Sequence, residues 1–203
     1  MNEIVIGNQT WAANDLQIND GGEGIIIKKY PTRNGVGLGT VYYYNQVALE
    51  RLANSISGWR LPSIEEFNTL ISYTGHSNYG NGCRLITNPN TARDIIDSSV
   101  VPTQFNATMA GAISLKTMDD NSEMYITLNY LEYNGSNMSI RYSRCIGLGG
   151  YYWTSYRYYS SNSNRYYCIR PNTENSSGGT VYGYASGDQI NTIYCPIRLI
   201  KAS

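Results

Sequence analysis

The single histidine of the chain, His76, limits the acid–base chemistry that its 203 residues could perform. A triad of serine, histidine and carboxylate would have to use His76, and the sequence has no GxSxG turn to present a nucleophilic serine. The Asp119-Asp120 pair is more typical of a solvated turn than of a calcium site, which needs several oxygen ligands. We therefore expect a protein that is not an enzyme and that has no metal site and no cofactor.

Four cysteines, Cys83, Cys145, Cys168 and Cys195, are the other residues with reactive side chains. None of their spacings matches a zinc pattern such as CxxC. Cys168 and Cys195 fall in two predicted strands that could be neighbours, which would allow a disulfide. The first residues do not form a recognisable secretory signal, which favours synthesis in the cytoplasm and buried thiols instead. Both states are open, and we expect the cysteines to have a structural or inert role.

Tyrosine is the strongest sign of a binding surface. The chain has 20 tyrosines but only 2 phenylalanines and 3 tryptophans. Tyrosine combines a large apolar ring with a polar tip and has few rotamers to lose on binding. A β-rich protein with many strand tyrosines is the alternative interpretation.

The tyrosines concentrate in the C-terminal third. Between Trp153 and Tyr194 the surface-type residues are mostly tyrosine, serine, asparagine and arginine, with no lysine or methionine. Antibody paratopes use a similar set, in which tyrosine gives rigid contact area and the small polar residues give adaptable hydrogen bonds. The predicted ligand-binding residues are Tyr156, Tyr158, Tyr159, Asn162, Asn164, Arg165, Tyr167, Tyr182, Tyr184 and Asp188.

Composition excludes several other classes of protein. Apolar residues make up 41% and charged residues 15%, which predicts a packed core. Equal numbers of basic and acidic residues, 15 of each, argue against nucleic acid as a partner. No apolar run approaches the roughly 20 residues of a membrane span, so we expect no membrane insertion. The length fits a single domain over residues 1–203, with 150–203 as the candidate ligand-binding region.

Two helices are predicted in the first half of the chain. Residues 46–56 carry apolar side chains at helical spacing, and Ser57-Gly58 ends the pattern. Residues 63–72 form the second predicted helix, in which Ser63 is the N-cap and Glu65 and Glu66 occupy the first turn, where the helix dipole favours carboxylates.

The second half reads as β-structure. Predicted strands include residues 151–155, 165–170, 180–185 and 193–201, separated by glycine, serine and asparagine. Early helices followed by late antiparallel strands make the chain an α+β protein, with two helices packed on antiparallel sheets. We expect the two chain ends to lie close together, with the strand at residues 4–6 near the strand at 197–200.

Four segments resemble, in the same order, motifs of the Fibrobacter succinogenes major paralogous domain family. Together they extend over nearly the whole chain. IGNQTWAANDL at residues 6–16 is similar to IGNQxWMAENL, GWRLPSIEEF at 58–67 to GWRLPTxxEW, GYYWTS at 150–155 to GYYWSS, and IRLIK at 197–201 to VRxIK.

The resemblance implies a C-type-lectin-like fold, related to that of the formylglycine-generating enzymes, and a setting among anaerobic gut bacteria. In such a fold we expect the matching residues to serve as scaffold. Trp59 and Trp153 would anchor the core, and Arg60 would satisfy buried carbonyls through its several donors. Pro62 would fix the start of the second helix.

The same fold carries the variable proteins of diversity-generating retroelements, which include phage tropism determinants. There adenine-directed mutation changes the C-terminal codons, and AAC-type codons then yield Asn, Ser, Tyr, Asp, Arg, Gly and several others but never Lys, Met, Gln, Glu or Trp. The residue alphabet between Trp153 and Tyr194 fits that restriction if Glu174 and Gln189 lie outside the mutable codons. The leading hypothesis is therefore a phage receptor-binding, tail-associated protein that recognises a host-surface protein or glycan and is carried on the virion.

Two alternatives belong to other classes. One is a bacterial cell-surface adhesin or carbohydrate-binding module of the same fold. The other is an enzyme like the formylglycine-generating enzymes, for which Cys168 and Cys195 would be the only candidate active-site pair. A calcium-dependent lectin would carry a Glu-Pro-Asn or Gln-Pro-Asp triplet, and Asn88-Pro89-Asn90 lacks the carboxylate. A homo-oligomer is left open.

Overall fold

A computed structural model describes part of the chain. The described residues are 1–30, 39–52, 55–73, 104–105, 107–108, 112–117, 123–127, 150–157, 164–169, 179–182 and 193–202. At 30, 114–117, 123–127, 164–168 and 179–182 only the backbone course is described. The sequence also predicts a short helix at 92–96 and a strand at 138–142, and both lie outside these ranges.

Both expected helices are present, with somewhat different bounds. Helix α1 spans Gln46–Leu52 and helix α2 spans Ile64–Tyr73. Asn45 caps α1, because its side-chain Oδ1 accepts a hydrogen bond from the Ala48 amide at 3.1 Å. Ser55 and Ile56 lie beyond the helical residues, so α1 ends earlier than the apolar spacing predicted.

Helix α2 begins with a reciprocal capping box, which confirms the expected role of Ser63. The Ser63 hydroxyl accepts from the Glu66 amide at 3.1 Å, and the Glu66 carboxylate accepts from the Ser63 amide at 2.7 Å. Two amides that the helix leaves without partners are satisfied in this way. Phe67, Leu70 and Ile71 form the buried side of the helix, as their spacing predicted.

Twelve strands occur in the described residues, and every pairing between them is antiparallel. They are β1 (Glu3–Ile6), β2 (Gln9–Ala12), β3 (Ile25–Tyr30), β4 (Gly39–Tyr44), β5 (Trp59–Arg60), β6 (Ile113–Thr117), β7 (Glu123–Thr127), β8 (Gly150–Arg157), β9 (Asn164–Ile169), β10 (Gly179–Tyr182), β11 (Ile193–Tyr194) and β12 (Ile200–Lys201). With the two helices they confirm an α+β protein.

The strands form four small sheets. The orders are β1-β2-β12-β5, β10-β9-β8, β11-β6-β7 and the hairpin β3-β4. In the first sheet Ile200 of β12 lies opposite both Trp11 and Arg60, so the last strand is inserted between two early ones. Ile4 pairs with Trp11 from the other side. This arrangement confirms that the two chain ends lie close together.

The core consists of two main clusters of buried residues. The first gathers Leu49 and Leu52 of α1 with Trp153, Ile197 and other residues. The second gathers Phe67 and Leu70 of α2 with Trp11 and Tyr152 among others. Tyr152 and Trp153 are consecutive residues of β8 that belong to different clusters, so both faces of this strand are buried.

A buried arginine lies inside the second cluster. Arg198 is 1% exposed and its guanidinium lies 4.5 Å from the Phe105 ring centre. It pairs with Asp15 at 2.6 Å and donates to the carbonyl oxygens of Ala12 and Phe105 at 3.3 and 2.5 Å. These acceptors compensate for the loss of water around a buried charge.

As for a membrane, none of the helices in the described ranges has the length and apolar character that a bilayer span needs.

Candidate ligand-binding face

Strand β8 leads the chain from the core to the surface. Residues 150–154 are buried, and 155–157 are exposed. Tyr152 is completely buried, whereas 46% of Tyr156 is exposed. The change occurs where the tyrosine-rich segment of the sequence begins. Tyrosine therefore has two roles within one strand, as a core residue at Tyr152 and as a surface residue at Tyr156.

Hydrogen bonds to distant segments hold the buried half of β8. The Trp153 indole donates to the Tyr44 carbonyl at 2.6 Å, and its backbone amide donates to the Pro196 carbonyl at 3.2 Å. The Tyr152 hydroxyl accepts from the Thr108 amide at 2.7 Å. Burial raises the pKa of Tyr152 well above its usual value, so this phenol stays neutral. The base of the candidate face is thus rigidly supported.

A glycine begins this strand for a steric reason. A Cβ atom at Gly150 would lie 3.0 Å from the Thr108 carbonyl oxygen and 3.0 Å from the Tyr152 ring. Both neighbours are themselves packed, so a larger residue would press β8 away from them. Gly150 is therefore a point of close approach between β8 and its neighbours.

The exposed half of β8 leaves the regular ladder. Trp153 pairs with Tyr166 of β9, but the next pair is Arg157 with Asn164, so β8 contains more residues than β9 over this interval. Within this bulge the Ser155 amide donates to the Pro62 carbonyl at 2.8 Å. Bulges re-aim side chains at the ends of strands, and this one precedes the predicted ligand-contacting segment.

A surface ion pair joins the end of β8 to α1. The Arg157 guanidinium lies 3.1 Å from the Glu50 carboxylate, and the two side chains are 48% and 50% exposed. Glu50 also accepts from the side-chain amide of Gln46 at 3.0 Å. Gln46 is only 4% exposed, so the chain of contacts runs from the buried start of α1 to the candidate face.

Strands β9 and β10 are neighbours, as the sequence predicts for residues 165–170 and 180–185, but their register differs from the prediction that Arg165 and Tyr167 share a face with Tyr182 and Tyr184. Tyr182 lies opposite Tyr166, and Val181 lies opposite Tyr167. Because opposite residues in a ladder belong to one face of the sheet, Tyr182 shares a face with Tyr166 and not with Tyr167. The expected grouping of Tyr167 with Tyr182 is therefore wrong. The alternation of side chains along each strand could not reveal which tyrosines pair, because the register depends on the connection between the strands.

On β8, both residues that pair with the middle of β9 are buried. Tyr167 lies opposite Tyr152, and Tyr166 lies opposite Trp153. Tyr152 and Trp153 belong to different main clusters. The sequence predicts that Tyr166 and Cys168 face the core and that Arg165 and Tyr167 face a ligand, and the side chains of these four residues lie outside the described part of the structure.

The predicted ligand-binding residues fall into three groups. Tyr156 is described fully and is exposed. Four have a described backbone position, in β9 for Asn164, Arg165 and Tyr167 and in β10 for Tyr182. The remaining five lie outside the described residues, namely Tyr158, Tyr159, Asn162, Tyr184 and Asp188.

Two predicted scaffold residues differ from expectation. Trp153 anchors the core as predicted, but Trp59 is only partly buried and packs at the margin of the first cluster. Arg60 pairs chiefly with the Glu66 carboxylate, at 2.6 Å, and donates to only one carbonyl oxygen, that of Leu61. The arginine that binds several buried carbonyl oxygens is Arg198. Its position between Ile197 and Leu199, in an otherwise apolar terminal segment, was the available signal.

Among the cysteines, the histidine and the Asp119-Asp120 pair, the described part of the chain shows the side chain of Cys195 alone. Cys195 is fully buried in the first cluster, while Cys83 and Cys145, His76 and the Asp119-Asp120 pair lie outside the described residues, as does the Cys168 side chain. Within the described ranges, no three His, Cys, Asp or Glu side chains come together as a metal-binding group.

Comparison of the chain with family models, with curated proteins and with solved structures found no match.

Proposed function

We propose that this protein is a non-enzymatic binding protein whose C-terminal third contacts a ligand on the surface of a host cell. The observation that carries the proposal is the course of β8, in which five buried residues are followed by three exposed ones where the tyrosine-rich segment starts. A rigid strand that ends in exposed Tyr156 and Arg157 can present aromatic and arginine side chains, which dominate binding energy at protein interfaces.

The proposal includes a C-type-lectin-like fold and a place among retroelement-diversified, tail-associated phage proteins. Three features support this: the four motif resemblances, the insertion of the last strand between early strands, and the residue alphabet after Trp153. A scaffold that tolerates diversification must keep its core contacts separate from its ligand contacts. The buried half of β8 has anchors of this kind, because besides its ladder with β9 it is bonded to Tyr44, Thr108 and Pro196, which lie outside the segment between Trp153 and Tyr194.

Binding to intact cells tests the proposal. The fluorescently labelled protein is titrated against a panel of intact anaerobic gut bacteria, and we expect saturable binding to some strains. Replacing Tyr156 and Tyr158 together by alanine should then cost about 2–4 kcal/mol of binding free energy. Stability should change by less than about 0.5 kcal/mol for an exposed substitution.

The matched control is Tyr73→Ala. Tyr73 is also an exposed tyrosine, 62% accessible, but it lies at the end of α2. The Tyr73→Ala substitution should leave binding to the cells unchanged. Equal losses from both variants, or no loss from the double variant, would contradict the proposed face.

Diversification has a separate genetic test. The gene should lie near a reverse-transcriptase gene and near a second copy of the sequence for residues 150–203, with differences only at adenines of the copy. Differences spread over all four bases would argue against adenine-directed mutation, while the binding role would still be judged by the cell titration.

A further inference from the structure

The exposed end of β8 needs a support other than its ladder with β9. Between Trp153 and Arg157 the pairing with β9 shifts register, so residues 154–156 lie outside the regular ladder. Two contacts in this interval are the bond from the Ser155 amide to the Pro62 carbonyl, at 2.8 Å, and the ion pair of the Arg157 guanidinium with the Glu50 carboxylate, at 3.1 Å. One tether is a backbone bond and the other depends on two side chains.

The Glu50 carboxylate is itself held in place by a residue at the start of its own helix. The Gln46 side-chain amide donates to the same Oε1 atom that Arg157 contacts, at 3.0 Å, and Gln46 lies one helical turn earlier. Because Gln46 is buried, it restricts the positions that the Glu50 carboxylate can adopt. A restricted acceptor restricts Arg157 in turn, and Tyr156 precedes Arg157 directly.

We propose that Glu50 is a positioning residue for the ligand-binding face, which acts through Arg157 to fix the direction in which Tyr156 and the following residues leave β8. The inference deepens the proposed function and rests on it. It assigns a role in binding to a helix residue that lies 107 positions from its partner and outside the C-terminal region.

The ion pair is too exposed to serve mainly as a stabilising contact. With both side chains about half exposed, solvent screens the attraction, and such pairs contribute little to folding. Its effect is therefore expected in the local order of residues 153–160 and in affinity, with little change in the overall stability of the fold. Faster local exchange and weaker binding without a loss of overall stability would therefore identify a positioning role.

Helix α1 offers a matched control. Arg51, the next residue, forms a second partly exposed ion pair with Asp20 at 2.5 Å, and this pair connects α1 to the loop before β3 instead of to β8. Asp20→Ala therefore removes an acidic partner from an arginine near the same helix, as Glu50→Ala does, without touching the end of β8.

Amide hydrogen exchange of the ligand-free protein is the primary experiment. In Glu50→Ala we expect exchange of residues 153–160 to accelerate about fivefold, the factor that corresponds to roughly 1 kcal/mol of local opening free energy. Asp20→Ala should leave exchange in this segment unchanged. The charge-exchanged double variant Glu50→Arg/Arg157→Glu should restore the slower rate. No acceleration in Glu50→Ala, or the same acceleration in both single variants, would overturn the inference.

The cell-binding titration supplies the second readout. We expect Glu50→Ala to weaken binding of the labelled protein to a strain that the wild type binds, by about fivefold. The effect should vanish in an Arg157→Ala background, because Glu50 then has no arginine to position. Additive effects of the two substitutions would overturn the inference. If the Tyr156/Tyr158 double variant binds normally, the proposed function is contradicted. Faster exchange in Glu50→Ala would in that case show that Glu50 orders the end of β8 without a role in ligand binding.

Discussion

Arg198 shows how a single residue can connect distant parts of this chain. Its guanidinium contacts Asp15, the carbonyls of Ala12 and Ala13 and that of Phe105, so it joins the segment after β2 to the middle and the end of the sequence. A buried charge is tolerated only when its donors find acceptors, since the interior cannot replace the water it loses. Removal of the arginine is therefore costly because Asp15 and the buried carbonyl oxygens lose their hydrogen-bond donor.

Replacing Arg198 by methionine should destabilise the protein by about 3–5 kcal/mol, because it leaves the Asp15 carboxylate, 11% exposed, without its cation. Chemical denaturation monitored by tryptophan fluorescence measures the change. Lys201→Met is the control, since the Lys201–Glu3 pair is 48% and 42% exposed and should cost at most about 1 kcal/mol. A similar cost for both substitutions would contradict the role assigned to burial.

Asp20 provides a prediction about pH. Hydrogen bonds from Arg51, together with one from the Gly22 amide, lower the pKa of Asp20 from 3.8 to about 2. A lowered pKa in the folded state means that the contribution of this carboxylate to stability is complete above the unfolded value and is lost as pH falls through about 2. Carboxyl-carbon NMR titration should show this pKa, and Arg51→Gln should raise it towards 3.8. An unchanged pKa in the variant would contradict the assigned cause.

At the scale of elements, α2 depends on a start signal that is local in sequence. Ser63 and Glu66 exchange hydrogen bonds, and Glu66 also receives two from Arg60 at 2.6 and 2.8 Å. Burial acts to raise the pKa of Glu66, but the bonds from Arg60 and the Ser63 amide outweigh it and the pKa is lowered. One carboxylate therefore links β5 to the start of the helix that covers the second cluster.

Removal of the cap should be measurable by itself. Ser63→Ala should lower the free energy of unfolding by about 1 kcal/mol, because the Glu66 amide loses its acceptor. Thr69→Ala on the exposed side of the same helix removes a hydroxyl bonded only to the Glu65 carbonyl of its own helix, and should change stability by less than about 0.5 kcal/mol. Urea denaturation of both variants tests the difference, and equal values would indicate that the cap is not what starts α2.

At the scale of the whole molecule, β8 joins the two main clusters by placing consecutive residues in each. Tyr152 lies among the rings of Trp11, Phe67 and Phe105, and Trp153 lies with the α1 residues. Ile200 of β12 contributes to the second cluster, while Leu199 beside it contributes to the first. Since strands that pass between the clusters carry side chains into both, loss of one cluster removes support from the other.

We therefore expect the two clusters to unfold in a single transition. Leu49→Ala in the first cluster and Leu70→Ala in the second should each cost about 2–5 kcal/mol, and each should shift fluorescence and circular dichroism curves together. Val47→Ala, at a partly exposed position of α1, is the control and should have a much smaller effect. Separate transitions for the two probes would show that the clusters are independent.

Much of the local structure was predictable from the sequence. The apolar spacing and the Ser63–Glu66 pair identify α2 to within a residue or two, and the terminal motifs indicate that the two ends meet. These features depend on neighbours within about one helical turn or on strong apolar patterning. The concentration of tyrosine after Trp153 likewise belongs to the sequence alone, and it leads to the ligand-binding hypothesis.

Only the tertiary structure decided which tyrosines belong together and which charges are enclosed. The pairing of Tyr182 with Tyr166, the bulge before Arg157 and the burial of both faces of β8 follow from how three strands align and what packs against them. Alternation along a single strand carries no information about register. In the same way, Arg198 and Asp15 are 183 residues apart, so their bond arises from long-range packing that no local pattern of the sequence specifies.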